Sequence, residues 1–284
     1  MTTHTPIVLT TDFGLSDPYV GVMKGVILTI NSQAKIIDLT HQIQPQHIQQ
    51  ASFILGTSHN FFPSGSIHVV VVDPGVGTDR KLVLLITPNA KFLAPDNGVL
   101  SQVLSDCLDT HPKMSGTLPV PPQCTAYQLT NPKYWLHPVS NTFHGRDVFA
   151  PTAAHLSVDV DPVTVGEPLL ELVWLSPSRP IQEANGLTGE VIYADHFGNL
   201  ITNIPESSIP QFMLGGAAKV SVEIKGHRIE ELSRTFHGNP GQAYGEPLAL
   251  MGSNGYLEIV VTDGSAQEIL KVGSGEPVSL RFVE

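Results

Sequence analysis

The first 100 residues alternate between short apolar runs and stretches with apolar positions three to four apart. "PIVLTTDFG" (6–14) predicts a buried strand that ends at Asp12. "DPYVGVMKGVILTINSQ" (17–33) has helical spacing, and Asp17-Pro18 is a suitable helix opening. "KIIDLTHQI" (35–43) predicts a second strand and "QHIQQASFILGTSHNFF" (46–62) a second helix. "SIHVVVVDPGVG" (66–77) predicts a third strand ending at Asp73, and "KLVLLITPNAKFLAPDNG" (81–98) a hairpin closed at "PNA". Runs as apolar as four consecutive valines suit strands covered on both faces, so the pattern predicts an α/β domain with a mostly parallel sheet.

The pattern then changes. Residues 105–140 are Pro-rich and aperiodic, which predicts a surface excursion. "GRDVFAPTAAHLSVD" (145–159) predicts a further helix. From "LTGEVIYADHFGNLITNI" onward, strand-length runs are separated by Gly and Asn, which predicts a small antiparallel barrel. The expected organisation is an α/β domain over 1–172, a connector over 173–186 and a β-barrel-like domain over 187–284. No internal repeat or low-complexity tract interrupts it.

Composition narrows the function classes. The net charge is −11, with 15 Lys and Arg against 26 Asp and Glu, which argues against a nucleic-acid surface. Two cysteines make neither a disulfide framework nor a zinc set, and none of the twelve histidines lies in an H-E-x-x-H motif, so no metal is expected. The start, "MTTHTPIVLTTDFG", lacks the basic lead and apolar core of a signal peptide, and no apolar run reaches about 18 residues. The expectation is a soluble, cytoplasmic protein with no membrane partner.

Candidate chemistry concentrates in a few places. Asp12 and Asp73 sit at predicted strand C-termini, the edge where open α/β sheets bind ligands, although either could be a turn or capping residue. "GVGTDRK" (75–81) fails the phosphate-loop spacing, and "DFG" with "HGRD" stands in the wrong order for a kinase. His144-Gly145-Arg146-Asp147 is either a catalytic corner or a well-capped helix start. In "YADHFGNLITN" (193–203), Asn199 could pair with an adenine edge and Phe197 could stack on a base, or the stretch is a tight turn. Glu258 lies within an apolar strand and needs a cationic partner.

Taken together, "TTDFGLSDPYVGVMKGVI", "IIDLTHQI", "VVDPGVGTDR", "LAPDNGVL", "TFHGRDVFAP", "DHFGNLITNI" and "GSNGYLEI" resemble the S-adenosylmethionine hydrolases. These hydroxide adenosyltransferases are relatives of fluorinase and chlorinase. The resemblance runs in order over nearly the whole chain. It implies hydrolysis of S-adenosylmethionine to adenosine and methionine, with no cofactor beyond the substrate, in a homotrimer with active sites between subunits. It maps the water-activating set onto Asp73, Arg80 and His144. Asp12 becomes the ribose-diol acceptor and Phe197 and Asn199 the adenine contacts. Asp195, Ser253 and Glu258 fall at the methionine end. In the halogenases an aromatic residue replaces the Asp73 position, and a Trp stands where this chain has Gln46. The alternatives are a halogenase-like enzyme, or a binding protein for S-adenosylmethionine or adenosine with negligible turnover.

Overall fold

The computed structural model describes residues 5–210, 219–237 and 245–283, and the chain divides into two compact units, Met1–Pro177 and Ser178–Glu284. The first unit runs β1 (Ile7–Thr11), α1 (Tyr19–Ile30), β2 (Ile36–Thr40), α2 (Ile48–Ser58), β3 (Ile67–Val71), β4 (Leu82–Ile86) and β5 (Lys91–Pro95). It continues through α3 (Ser101–Ser105), β6 (Gly116–Pro119), β7 (Thr125–Leu129), α4 (Ala150–Leu156), β8 (Gly166–Leu169) and β9 (Glu171–Trp174).

Seven of these strands form one sheet in the order β2-β1-β3-β5-β4-β7-β8. β2, β1, β3 and β5 are mutually parallel, while β4 and β8 run against their neighbours. Five strands therefore point the same way. The alternating pleat sends successive valines of β3 to opposite faces. Val69 and Val71 join Met23 and Ile27 of α1 and the alanines of α4; Val70 and Val72 join Leu55 of α2 and Leu104 of α3. Both faces are dry, so no polar alternation marks these strands.

The stretch 105–140 is not only a surface excursion. β7 lies inside the sheet between β4 and β8, with Ala126 and Leu129 buried, and β6 pairs with β9. The five-residue run "TAYQL" is too short to show a period beside the prolines at 119, 121 and 122. Of the stretch expected as connector, Val173 and Trp174 belong to β9 and Ile181–Glu183 forms a strand of the second unit.

That unit contains β10 (Ile181–Glu183), β11 (Gly186–Ala194), β12 (Leu200–Pro205), β13 (Lys219–Ile224), β14 (His227–Ile229) and β15 (Leu232–Ser233). It ends with β16 (Pro247–Met251), β17 (Tyr256–Val261), α5 (Ala266–Leu270) and β18 (Pro277–Val283). The strand order is β14-β13-β18-β11-β12-β17-β16-β15, with β10 on β11; all pairs are antiparallel except β15 with β16. β14 comes close to β16, so the sheet nearly closes around a core that includes Val191, Leu200, Val222, Leu257 and Leu280. Among the described residues no helix is long and apolar enough to cross a membrane.

Candidate active site

Asp73 leaves the C-terminal end of β3 and opens a tight loop. Val76 N–H donates to the Asp73 carbonyl at 3.2 Å, and Thr78 donates to the Gly75 carbonyl through N–H at 3.1 Å and Oγ1 at 2.7 Å. This fold-back returns Arg80 to Asp73. Arg80 Nε donates to Oδ1 at 2.6 Å and Nη2 to Oδ2, a two-pronged pair whose side chains are only 9% and 6% exposed. Gly77 has φ +81°, and any Cβ there would strike the Asn141 carbonyl oxygen. Asn97 Nδ2 holds the Val72 carbonyl at 2.9 Å and fixes the strand end itself.

Arg80 Nη2 also donates to His144 Nδ1 at 2.9 Å. A guanidinium has no acceptor, so Nδ1 must offer its lone pair and the ring proton sits on Nε2. Burial lowers the His144 pKa, and the Arg80 charge lowers it further, against opposing pulls from Asp73 and Asp147. His144 is therefore a neutral ring at pH 7. Gly145 allows it to sit here: a Cβ would press on Met23 Sδ, Phe143 Cε2 and Val71 Cγ1 at 3.3–3.4 Å.

Arg146 and Asp147 act on the backbone. Asp147 is fully buried, accepts from Arg146 Nε at 2.5 Å and Nη2 at 2.9 Å, and accepts from Ser140 N–H at 2.8 Å. The expected helix over 145–159 begins instead as a π turn, Gly145–Phe149, before α4. Pro151 has no N–H for the Asp147 carbonyl, which accepts from Leu136 N–H at 2.8 Å.

Asp12 follows β1, whose parallel neighbour β3 carries Asp73, so both leave the same sheet edge. Asp12 Oδ2 accepts from Gln46 N–H at 2.7 Å, and Gln46 holds φ +65°, a left-handed conformation uncommon for a residue with a side chain. Phe13, Tyr19 and Phe143 form an aromatic triangle with centroids 5.4–5.8 Å apart, joining the Asp12 and His144 segments. Sequence reading missed this triangle and Asn97. Their residue types were visible, but the contacts span up to 130 positions.

In the second unit "DHFGN" is a tight turn. Asp195 Oδ1 accepts from the N–H groups of Phe197 and Asn199, each at 2.9 Å, and Oδ2 accepts from Asn199 Nδ2 at 2.9 Å. The Asn199 amide is thus partly engaged, and Phe197 is 73% exposed at the tip. Ser253 is exposed in the turn between β16 and β17, where Gly252 N–H bonds to the Tyr256 carbonyl at 2.8 Å. Glu258, in β17, is 8% exposed, and its carboxylate packs where a Cβ on Gly252 would sit. Burial, with a smaller push from Asp195, raises its pKa to about 7. Among the described residues no Lys, Arg or His forms an ion pair with Glu258, so of the two sources of a cation open to it, protein or ligand, the protein does not supply one there. Among the described residues no group of three or more His, Cys, Asp or Glu is placed to hold a metal ion.

The first unit is an α/β fold with a charged, buried network at the C-terminal edge of its parallel strands, the edge at which open α/β sheets bind ligands, and the second is a barrel-like unit with an acidic turn. The chain belongs to the SAM hydroxide adenosyltransferase family, whose N-terminal domain matches residues 7–166 and whose C-terminal domain matches residues 189–279. It is 37% identical to an (R)-S-adenosyl-L-methionine hydrolase of Thermus thermophilus over 97% of this chain and 99% of that one. It is 34% identical to the hydrolase of that name from Salinispora arenicola, over 95% of each. A fluorinase of Nocardia brasiliensis is 26% identical over 89% of each. A crystal structure of an uncharacterized conserved protein from Thermotoga maritima superposes with a TM-score of 0.83 at 34% identity, covering 97% of this chain and 99% of that one.

Proposed function

We propose that the protein hydrolyses S-adenosyl-L-methionine to adenosine and L-methionine by attack of water or hydroxide at the ribose C5′. The observation that carries this is the Asp73–Arg80–His144 network at the β3 edge, in a chain similar end to end to named hydrolases. Methionine leaves from a sulfonium as a neutral thioether, so departure needs neither a proton nor a Lewis acid. The difficulty is the nucleophile. In this reading Asp73 accepts a hydrogen bond from the water through a lone pair not used by Arg80, and His144 Nε2–H donates to the water oxygen. Arg80 holds both in register and, always protonated, favours hydroxide character. The products are two neutral molecules and a proton.

The remaining assignments are part of the same proposal. Asp12 accepts from the ribose diol, and Phe197 and Asn199 bind the adenine. Asp195, Ser253 and Glu258 meet the methionine end, where an ammonium would supply the cation Glu258 lacks. The working form is a homotrimer, each site drawing on two subunits, and residues 173–186 connect the α/β domain to the barrel-like domain along the chain. These points rest on the family pattern. The two free cysteines support a cytoplasmic setting.

A halide-using activity is the second reading. Asp73 disfavours it, since a carboxylate repels a halide at the same place. The test is incubation with S-adenosylmethionine, with and without chloride, followed by chromatography. Equal adenosine and methionine at a chloride-independent rate are expected. A 5′-halonucleoside would support the second reading, and no product at all would make this a binding protein.

A further inference from the structure

On the face of the sheet that packs α2 and α3, away from the network just described, lies a cavity of about 480 Å³. It is lined by His59, Asn60, Asn89, Asp106, Cys107 and Gln123, among others, and none of the candidate substrate residues touches it. Its size suits a small ligand, and its walls mix polar side chains with Pro88 and Val103. Cys107 follows α3 and Cys124 directly precedes β7; both are free. Cys107 packs against the buried cluster that holds Cys124, and the Gln123 side-chain amide, next to Cys124 in the chain, donates to the Cys107 carbonyl at 2.5 Å, which ties the two segments together. Cys107 is partly exposed on the cavity wall, whereas Cys124 is buried behind it in the core.

We propose that Cys107 and Cys124 are a reversible dithiol–disulfide pair, with Cys107 the point of attack on a low-molecular-weight disulfide that enters this cavity. The Cys107 thiolate attacks one sulfur of the small disulfide, forming a mixed disulfide and releasing one small thiolate. Cys124 then gives its proton to the released small thiolate, attacks the Cys107 sulfur and expels the second small thiolate, which takes a proton from water. Two protein thiols are oxidised to a disulfide, and one small disulfide is reduced to two thiols. The division of roles follows from position, because only Cys107 faces the cavity. The thiol chemistry agrees: the hydrogen bond from Cys124 lowers the Cys107 pKa, against burial and the Asp106 charge, while the same contact and burial raise that of Cys124. An intracellular disulfide of this kind is a sensor or a transient, not a structural staple.

Intact-mass measurement and thiol titration of the folded protein with oxidised glutathione test this. In the wild type both thiols are expected to disappear together, with loss of their hydrogens and no added glutathione. Cys124→Ser should retain glutathione on Cys107, and Cys107→Ser should leave Cys124 reduced. In the single variants Cys107 should react about tenfold faster or more than Cys124. A stable glutathione adduct on the wild type, first reaction at Cys124, a disulfide between chains, or two thiols left free while the denatured chain is oxidised would each overturn the proposal. The wild-type mass decides the matter even if a serine variant fails to fold.

Discussion

Arg80 Nη2 carries two protons and gives one to Asp73 and one to His144, the latter at 2.9 Å. One guanidinium therefore sets the orientation of the carboxylate and the tautomer of the ring. Neither partner is free to turn, and the three groups behave as a single preorganised unit.

Arg80→Lys should break that unit while keeping the charge. A lysine ammonium cannot make the planar two-pronged contact and reach His144 as well. Turnover of S-adenosylmethionine should fall by about 10²-fold or more. The melting temperature should also fall, because Asp73 stays buried with a poorer partner. Steady-state kinetics beside a melting curve check this, and a Lys variant with wild-type turnover would refute the bridging role.

The pH profile follows from His144. Its pKa lies below the ordinary 6.5, so the ring stays neutral as the pH drops through that value. Activity should persist below pH 6.5 and fall only when the ring gains a proton on Nδ1 and can no longer accept from Arg80. His144→Gln, whose amide oxygen can accept but does not titrate, should lose most activity together with the His144-dependent acid limb. An unchanged acid limb in that variant would place the titrating group elsewhere.

Gly77→Ala tests how the 73–80 loop is seated. The added Cβ meets the Asn141 carbonyl in a backbone already at φ +81°, so the 73–80 loop and the 141–144 segment must move apart. Displacements of this size near reacting groups cost about 10²-fold in rate. The expected signature is a lower kcat with far-UV circular dichroism unchanged.

Much of this organisation was legible in sequence. The run Val69–Val72 announced a strand covered on both faces, and Asp12 and Asp73, expected at strand ends, do leave one edge of the sheet. Arg80 was singled out only by the resemblance, and its pairing with Asp73 across one loop was visible in the structure alone. Other features were hidden for physical reasons. β7 is five residues long between proline-rich turns, so its burial is set by β4 and β8 and not by its own pattern. The Arg80–His144 contact joins residues 64 apart, and only the resemblance pointed to it. "DHFGN" carried two readings, ligand contact and tight turn; the structure realises the turn, and Phe197 stays exposed on it.

Glu258 offers a stability test. Its pKa rises from 4.5 to about 7 on folding, so the unfolded chain ionises first. The penalty for keeping this acid buried is absent below pH 4.5, grows as pH rises towards 7, and is complete above it. Glu258→Gln should therefore stabilise the substrate-free protein at pH 8 and have little effect at pH 4. Denaturant unfolding at the two pH values measures the difference. If Glu258 meets the methionine ammonium, the same variant should also raise the KM.

The most direct test of the central claim is turnover in water carrying the heavy oxygen isotope, with mass analysis of the nucleoside product. Water attack at C5′ predicts one heavy oxygen in adenosine, on the 5′-hydroxyl, with chloride making no difference and Arg80→Lys slowing its appearance. Unlabelled adenosine, or a 5′-chloronucleoside formed in its place, would contradict the account.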